Sequence, residues 1–251
     1  MNSPACESSD PDLQERDVHA QEFEKALYHI THDFRATLRA MRTLPEWIRA
    51  DLAADHVIVS DSVLESLKML EKQALRADNM LLDLRTYSRI GRIQDKVSLV
   101  PLKPAIENAV ADLKPPPGFI VNTDLQLHAI KAPFNECQLL FEVLISNAIK
   151  HHDGSVGTVQ ITTSNDNQDI LIAVEDDGPG IPREYRDRVF EMMAMLQSRD
   201  DCEGSGLGLS IARKIVGHQG GEISIADPKY MKGTRIEVRL PAQSAALTTI
   251  V

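Results

Sequence analysis

Cysteine is scarce in this chain. Cys6, Cys137 and Cys202 are odd in number, far apart and free of any C-x-x-C spacing, which argues against a disulfide framework and against a structural zinc site. Long apolar runs are missing as well: stretches such as "MLLDL" and "LLFEVLI" fall far short of the roughly 20 residues that a membrane-spanning helix needs. The opening "MNSPACESSDPDLQERD" has neither the basic nor the apolar region of a secretory leader. Positive charge is in deficit, with Lys+Arg 27 against Asp+Glu 37 and a formal charge of -10, so sequence-independent binding to nucleic acid or to anionic lipid is disfavoured. The expectation is a cytoplasmic protein with reduced thiols, no nucleic-acid partner and no membrane insertion. Aromatics are few, at 4%, but 43% hydrophobic content over 251 residues suffices for one ordinary domain and a smaller partner.

What is there divides into two textures. After a polar start, residues 1–19, apolar side chains recur at Phe23, Leu27, Ile30, Phe34, Thr37, Met41, Leu44 and Ile48, in steps of four and three. A second run follows at Val63, Leu67, Leu70, Ala74, Ala77, Leu81 and Leu84, after the short connection "AADHVIVSD". Both are heptad stripes, and they predict two long antiparallel helices over residues 20–92. A lone hairpin cannot bury two such stripes, so the expectation is a homodimer whose four helices form a bundle about a two-fold axis. From residue 93 to 243 the pattern changes. "KVSLVPL", "FIVNTDL", "TVQITTS", "DILIAVED", "EISIAD" and "TRIEVRLP" read as strands, and "PAIENAVADL", "NECQLLFEVLISNAIKHH" and "LGLSIARKIVGHQGG" as helices. This predicts an α+β sandwich with helices over one face of a mixed sheet, joined to the hairpin near "SRIGRIQDK" and followed by a tail, residues 244–251.

Four strings carry chemistry. In "VEDDGPGIP" a hydrophobic strand ends in carboxylates; a buried carboxylate there can accept a hydrogen bond from the exocyclic amine of adenine and repel the carbonyl of guanine, with Asp176 as the candidate. Gly178 and Gly180 would let the backbone approach a ligand, although for this string taken alone an ordinary Gly-Pro-Gly surface turn is the better reading. In "EGSGLGLSIARKIV", Gly204, Gly206 and Gly208 lead straight into a helix and would cradle phosphate on freed amides. No Gly-Lys-Ser/Thr follows and no strand precedes, so this is neither a Walker loop nor a dinucleotide fingerprint. In "FEVLISNAIKHH", Asn147, Lys150 and His151 share a helix face one turn below Val143, suited to a hydrated magnesium ion and to phosphate charge. His152 reads as a solvated helix end. Finally, "LYHITHDFRATL" holds His29 and His32 three residues apart, a spacing compatible with a metal pair, with two solvated side chains or with a nucleophile beside its base.

Taken together and in this order, "THDFRATL", "SNAIKHH", "EDDGPGI", "RVFEMM" and "GSGLGLSIARKIV" resemble the conserved boxes of bacterial sensor histidine kinases, over nearly the whole chain from Phe23 to Pro241. The resemblance implies a dimerisation and phosphoacceptor domain followed by an ATP-binding domain of the type shared with gyrase and the Hsp90 chaperone. It selects His32, because the family's phosphoacceptor is followed by an acidic residue and, two positions later, a basic one, as in His32-Asp33-Phe34-Arg35. Asp33 would then fix the ring tautomer. By the same resemblance ATP and Mg2+ are the cofactors: Asp176 reads adenine, Gly178 and Gly180 shape its pocket, Asn147 holds the metal, and Lys150, His151, Gly204, Gly206, Gly208 and Thr234 complete the nucleotide site. The segment between the glycine clusters would be a lid, with Phe190, Met192 and Met193 touching the bundle and Arg199 either reaching the γ-phosphate or remaining solvated.

The implied activity is ATP-dependent autophosphorylation on His32 and transfer to the receiver domain of a response regulator. Three departures qualify it. Val143 stands where the family often has a second asparagine. Ala36, four residues after His32, stands where Thr or Asn often helps align a hydrolytic water, which implies a kinase-biased protein with weak phosphatase activity. The short segment before His32 leaves no room for a sensor domain, so input is expected from a separate sensor protein or from that amino-terminal segment itself. Two alternatives are a non-catalytic phosphotransfer hub with a degenerate ATP domain, and an anti-sigma serine kinase, which would not need the heptad hairpin.

Overall fold

A computed structural model describes residues 11–92, 96–166, 169–194 and 204–241, with side chains from residue 29 onward. The chain divides into two compact units, Met1–Ser88 and Arg89–Val251. Cys6, Cys202, Arg199 and the 244–251 tail lie outside the described residues.

The first unit is a helical hairpin of α1 (Pro11–Ala54) and α2 (Asp61–Arg89). Helix α1 reaches back to Pro11, well into the polar start, and opens on a proline, which lacks the N–H that a first helical position leaves unbonded anyway. The helices do not meet along the apolar heptads of α1. They meet one position over, along Thr31, Arg35, Leu38, Arg42, Pro45, Arg49 and Leu52, which are buried or half-buried apart from Arg42. Ion pairs cross this seam at heptad spacing: Arg35 Nε donates to Asp78 at 2.7 Å, Arg42 lies 3.8 Å from the same buried carboxylate, and Arg49 pairs with Glu71. On α2, Leu67, Ala74 and Leu81 belong to the inward row, whereas Val63 and Leu70 point outward. The predicted stripe of α1 therefore stays in water, with Ile30, Phe34, Met41, Leu44 and Ile48 all exposed and Phe34 at 58%. An unpaired stripe of this size on a small hairpin marks an interaction face.

The second unit is a two-layer α+β sandwich. A small antiparallel ribbon pairs β1 (Val97–Pro101) with β3 (Ala129–Pro133), the latter unforeseen because "AIKAP" is short and ends in proline. The main sheet runs β2-β4-β5-β7-β6, with β2 (Phe119–Leu125) parallel to β4 (Gly157–Asp166). The partners β5 (Asp169–Asp176), β7 (Arg235–Pro241) and β6 (Glu222–Ala226) are antiparallel. The remaining helices are α3 (Leu102–Leu113), α4 (Phe134–Lys150) and α5 (Gly208–His218). Period-two alternation sends Val159, Ile161, Ile172, Val174, Ile236 and Val238 into one apolar layer beneath the helices, where Phe141, Leu144 and Ile145 of α4 are also fully buried. Burial pushes the Cys137 thiol of α4 up to about 12, so it stays protonated and packs as a small hydrophobe.

The opposite face of β5 and β7 carries charge. Asp166, Arg239, Glu237, Arg235 and Glu175 form a continuous ladder of ion pairs at 2.6, 3.5, 2.9 and 2.9 Å.

Candidate functional site

Strand β5 ends at Asp176 on the apolar face, so its carboxyl leaves the sheet at the edge of the core and is nearly buried. Oδ1 accepts the amides of Gly178 at 3.0 Å and Thr234 at 2.9 Å. Among the described residues no group bonds Oδ2, which leaves that oxygen to accept from a ligand. Thr234 thus contributes through its amide.

The main chain closes round this carboxylate. Gly233 N donates to Asp176 O at 3.1 Å, and Asp176 N to Thr234 O at 2.9 Å. Gly180 turns with φ +78°, 3.1 Å from the Gly233 carbonyl as measured from where a Cβ would stand. Here the left-handed conformation itself demands glycine. Gly178 serves as an amide donor to the carboxylate, within the pocket that the string suggested.

Burial pushes Asp176 up from the ordinary aspartate range, while the Thr234 and Gly178 amides and His152 pull it partway back. A donor on a ligand is accepted best by the ionised form, and binding to that form lowers the carboxyl pKa. Affinity should therefore be full above the raised pKa and fall as pH drops through it. A ligand that donates to Oδ2 should, in a binding titration carried downward from neutral pH, lose affinity before an ordinary aspartate would begin to protonate.

His152 differs from expectation. Its ring is buried, at the edge of Phe119 with centroids 5.3 Å apart, and Nδ1 accepts the Gly154 amide at 2.8 Å. Nε2 lies 3.1 Å from Asp177 Oδ1, which also accepts the Thr158 amide at 2.7 Å. An imidazole with an apolar body and two ring acceptor/donor sites was drawn under the β4 end once the chain turned at Gly154, a turn no periodicity announced. His151 stays exposed, and its ring is held below the ordinary value by desolvation and by Lys150, against an opposing effect of Asp176.

On α4, Asn147 is half-buried and Lys150 exposed, and Val143 one turn earlier reaches the start of α5: its Cγ1 lies 3.6 Å from where a Cβ on Gly208 would stand. The α4 face and the second glycine cluster thus adjoin. Gly206 adopts φ +73° against the main chain of Met193 and Ala194. Ser205 Oγ accepts the Leu207 amide at 3.1 Å, and helix bonding begins with Ile211 N to Leu207 O. The amides of Gly208, Leu209 and Ser210 are left at the open helix start, the group set that favours phosphate. Gly204 leads into this turn. Phe190 is corrected: at 6% exposure it is buried within the second unit, packed on the α5 side, while Met192 and Met193 remain exposed. The residues present fit a purine nucleotide. For magnesium they offer the Asn147 amide oxygen; among the described residues no cluster of His, Cys, Asp and Glu is arranged to hold a metal ion.

In the hairpin unit, His32 is exposed and its Nδ1 lies 3.1 Å from Asp33 Oδ1. Asp33 accepting from Nδ1 puts the ring lone pair on Nε2. His29 is exposed, and Ala36 and Thr37 lie one turn beyond His32 on the same helix.

Residues 135–244 match the histidine kinase-, DNA gyrase B- and HSP90-like ATPase family. The chain is 26% identical over 246 residues to the methanogenesis regulatory histidine kinase FilI of Methanothrix harundinacea (strain 6Ac), covering 92% of this chain and 26% of that protein. It is 28% identical over 213 residues to the signal transduction histidine-protein kinase ArlS of Staphylococcus aureus (strain USA300), covering 83% of this chain and 46% of the relative. The chain thus spans between a quarter and a half of these relatives. The crystal structure of full-length ShkA in complex with AMPPNP shares the fold, with a TM-score of 0.57 at 20% identity over 88% of this chain and 47% of that one. No helix among the described residues is long and apolar enough to cross a membrane.

Proposed function

We propose, from the premise that the second unit is an ATPase domain of the histidine kinase, DNA gyrase B and HSP90 kind in a chain related to histidine kinases, that this protein is an ATP-dependent protein-histidine kinase acting as a homodimer. The observation that carries the reading is the exposed His32 with Nδ1 held by Asp33: an ATPase domain alone serves many ends, whereas a tautomer-fixed imidazole on a heptad hairpin is built to receive a phosphoryl group. Nε2 forms the bond to the γ-phosphorus, the bond to the bridging oxygen breaks, and ADP leaves with the electron pair. Nδ1–H stays donated to Asp33, whose charge compensates that gained by the ring. Asp176 binds the adenine amine, with Gly178, Gly180 and Thr234 shaping its surroundings. Lys150, His151 and the Gly204, Gly206 and Gly208 turn hold phosphate. Magnesium, bound by Asn147, would offset charge on the phosphates.

Transfer then goes to an aspartate on the receiver domain of a response regulator. Ala36 has no hydrogen-bonding atom with which to align water, which supports a kinase bias with weak phosphatase activity. Incubation with γ-labelled ATP and magnesium tests the reading: acid-labile, alkali-stable label supports it, and acid-stable label would instead favour serine or threonine chemistry.

The exposed α1 stripe supports the dimer, since a second copy can bury Phe34, Met41, Leu44 and Ile48 in a four-helix bundle. Leu44→Asp should yield a helical monomer by light scattering, because an aspartate tolerated in water is costly at a buried seam. Leu67→Asp, on the inward row of α2, should instead melt the hairpin. A wild-type chain that is monomeric at all accessible concentrations would remove the bundle.

A further inference from the structure

Glu175 neighbours Asp176 on β5 and so faces the other side of the sheet, 1% exposed, where a carboxylate would be expensive without partners. It has four. Oε1 accepts the amides of Lys229 at 3.0 Å, Tyr230 at 2.6 Å and Met231 at 2.6 Å, and Oε2 accepts Arg235 Nη1 at 2.9 Å. Arg235 is its cross-strand partner on β7 and also binds Glu237 at 2.9 Å. Burial alone would raise the Glu175 carboxyl, but the three amides and the guanidinium overcome this and hold it below the ordinary glutamate range.

The loop that these amides belong to, residues 227–233, is also fastened at its two ends. Asp227 accepts Arg183 Nη2 at 2.6 Å and Arg186 Nη1 at 2.8 Å. At the far end Gly233 lies on Asp176, and the next residue, Thr234, supplies one of the two amides that orient the Asp176 carboxyl. One strand end therefore sends a carboxylate to each face, and the loop held by the first returns to position the second.

We infer that Glu175 is a positioning residue for base recognition: by anchoring loop 227–233 it sets the Thr234 amide, which engages Asp176 Oδ1 and presents Oδ2 to the base. This rests on the adenine-binding reading of Asp176. Glu175→Gln is nearly isosteric and keeps one acceptor oxygen for the amides, but its amide nitrogen faces the Arg235 guanidinium and turns an attraction into a donor–donor clash. The loop should loosen, and Asp176 should lose its set orientation.

The test is calorimetric titration of the full chain with ADP and with GDP. Glu175→Gln should weaken ADP by about tenfold and change GDP by less than about twofold, so that purine selectivity narrows. A role confined to domain stability would instead weaken both nucleotides alike. Asp227→Ala loosens the same loop from an exposed position with no buried charge at stake, and should narrow the ADP to GDP ratio in the same direction. It decides the matter should Glu175→Gln fail to fold. A wild-type chain that binds no ADP overturns the adenine reading itself; tight wild-type binding with an unchanged ADP to GDP ratio in the folded variants overturns only the role of Glu175.

Discussion

His32→Ala should eliminate the acid-labile phosphoryl group, a loss of at least about a thousandfold in labelling rate, while ADP binding stays at its wild-type value. On the proposed chemistry the His32 imidazole supplies the nitrogen of the new bond, so no neighbour replaces it. His29 stands three residues earlier on the same exposed helix but is not followed by a carboxylate. His29→Ala should accordingly retain most of the label. The pairing of Asp33 with Nδ1 at 3.1 Å gives the difference a physical basis, since Nε2 of His32 carries the lone pair. Asp33→Asn should slow labelling without abolishing it, because an amide still accepts from Nδ1–H but no longer offsets the positive charge that the ring gains. Label that persists in His32→Ala and vanishes in His29→Ala would reverse the assignment.

Gly233→Ala should cost at least about a hundredfold in ADP affinity, because a methyl group has no space to enter. A Cβ there would stand 2.6 Å from the Gly178 nitrogen and closer still to Oδ1 and the main-chain oxygen of Asp176. Two of these are main-chain atoms, and the third, Oδ1, belongs to a buried carboxylate held by the Gly178 and Thr234 amides. The loop would have to retreat, and its retreat withdraws the Thr234 amide from the carboxylate. Gly217→Ala makes the control, since nothing lies within 4 Å of that position near the end of α5. There alanine should leave ADP binding unchanged and stabilise the domain by up to about 1 kcal/mol through helix propensity. Thermal melts separate the two variants from simple unfolding. Equal ADP affinity in Gly233→Ala and wild type would show that the pocket wall yields without consequence.

Both experiments draw on residues whose legibility differed. Asp176 could be singled out from a short string, because a carboxylate at the end of an apolar strand implies a chemistry, whereas the string around His32 left three readings open and only the resemblance to the histidine-kinase boxes selected that residue. Glu175, next to Asp176 in the same strand, carries no comparable local signal. Nothing local distinguishes a glutamate that faces water from one that accepts three amides from residues 54 to 56 positions later in the chain. The glycine before Thr234 gave a faint signal, a lone glycine ahead of a strand in "YMKGTRIEV", but its obligation comes from Asp176, which is remote in sequence.

What the sequence by itself determined is periodic or local. The heptads dictated two long helices, alternation dictated the strands β4 to β7, and the glycine clusters at helix and strand ends marked where a ligand could approach the backbone, because these patterns record which side of an element must leave water. Tertiary structure alone decided which partner each side meets. On α1 two neighbouring stripes carry heptad spacing, and only packing shows that the one with Arg35, Arg42 and Arg49 joins α2 while the apolar one stays exposed: Asp78 and Glu71 satisfy the arginines across the hairpin at positions 43 and 22 residues away. His152 and Phe190, which local pattern places in water or on an outward face, are buried for the same reason. Burial depends on where the chain returns, and a window of sequence holds no information on that until distant residues have closed over it.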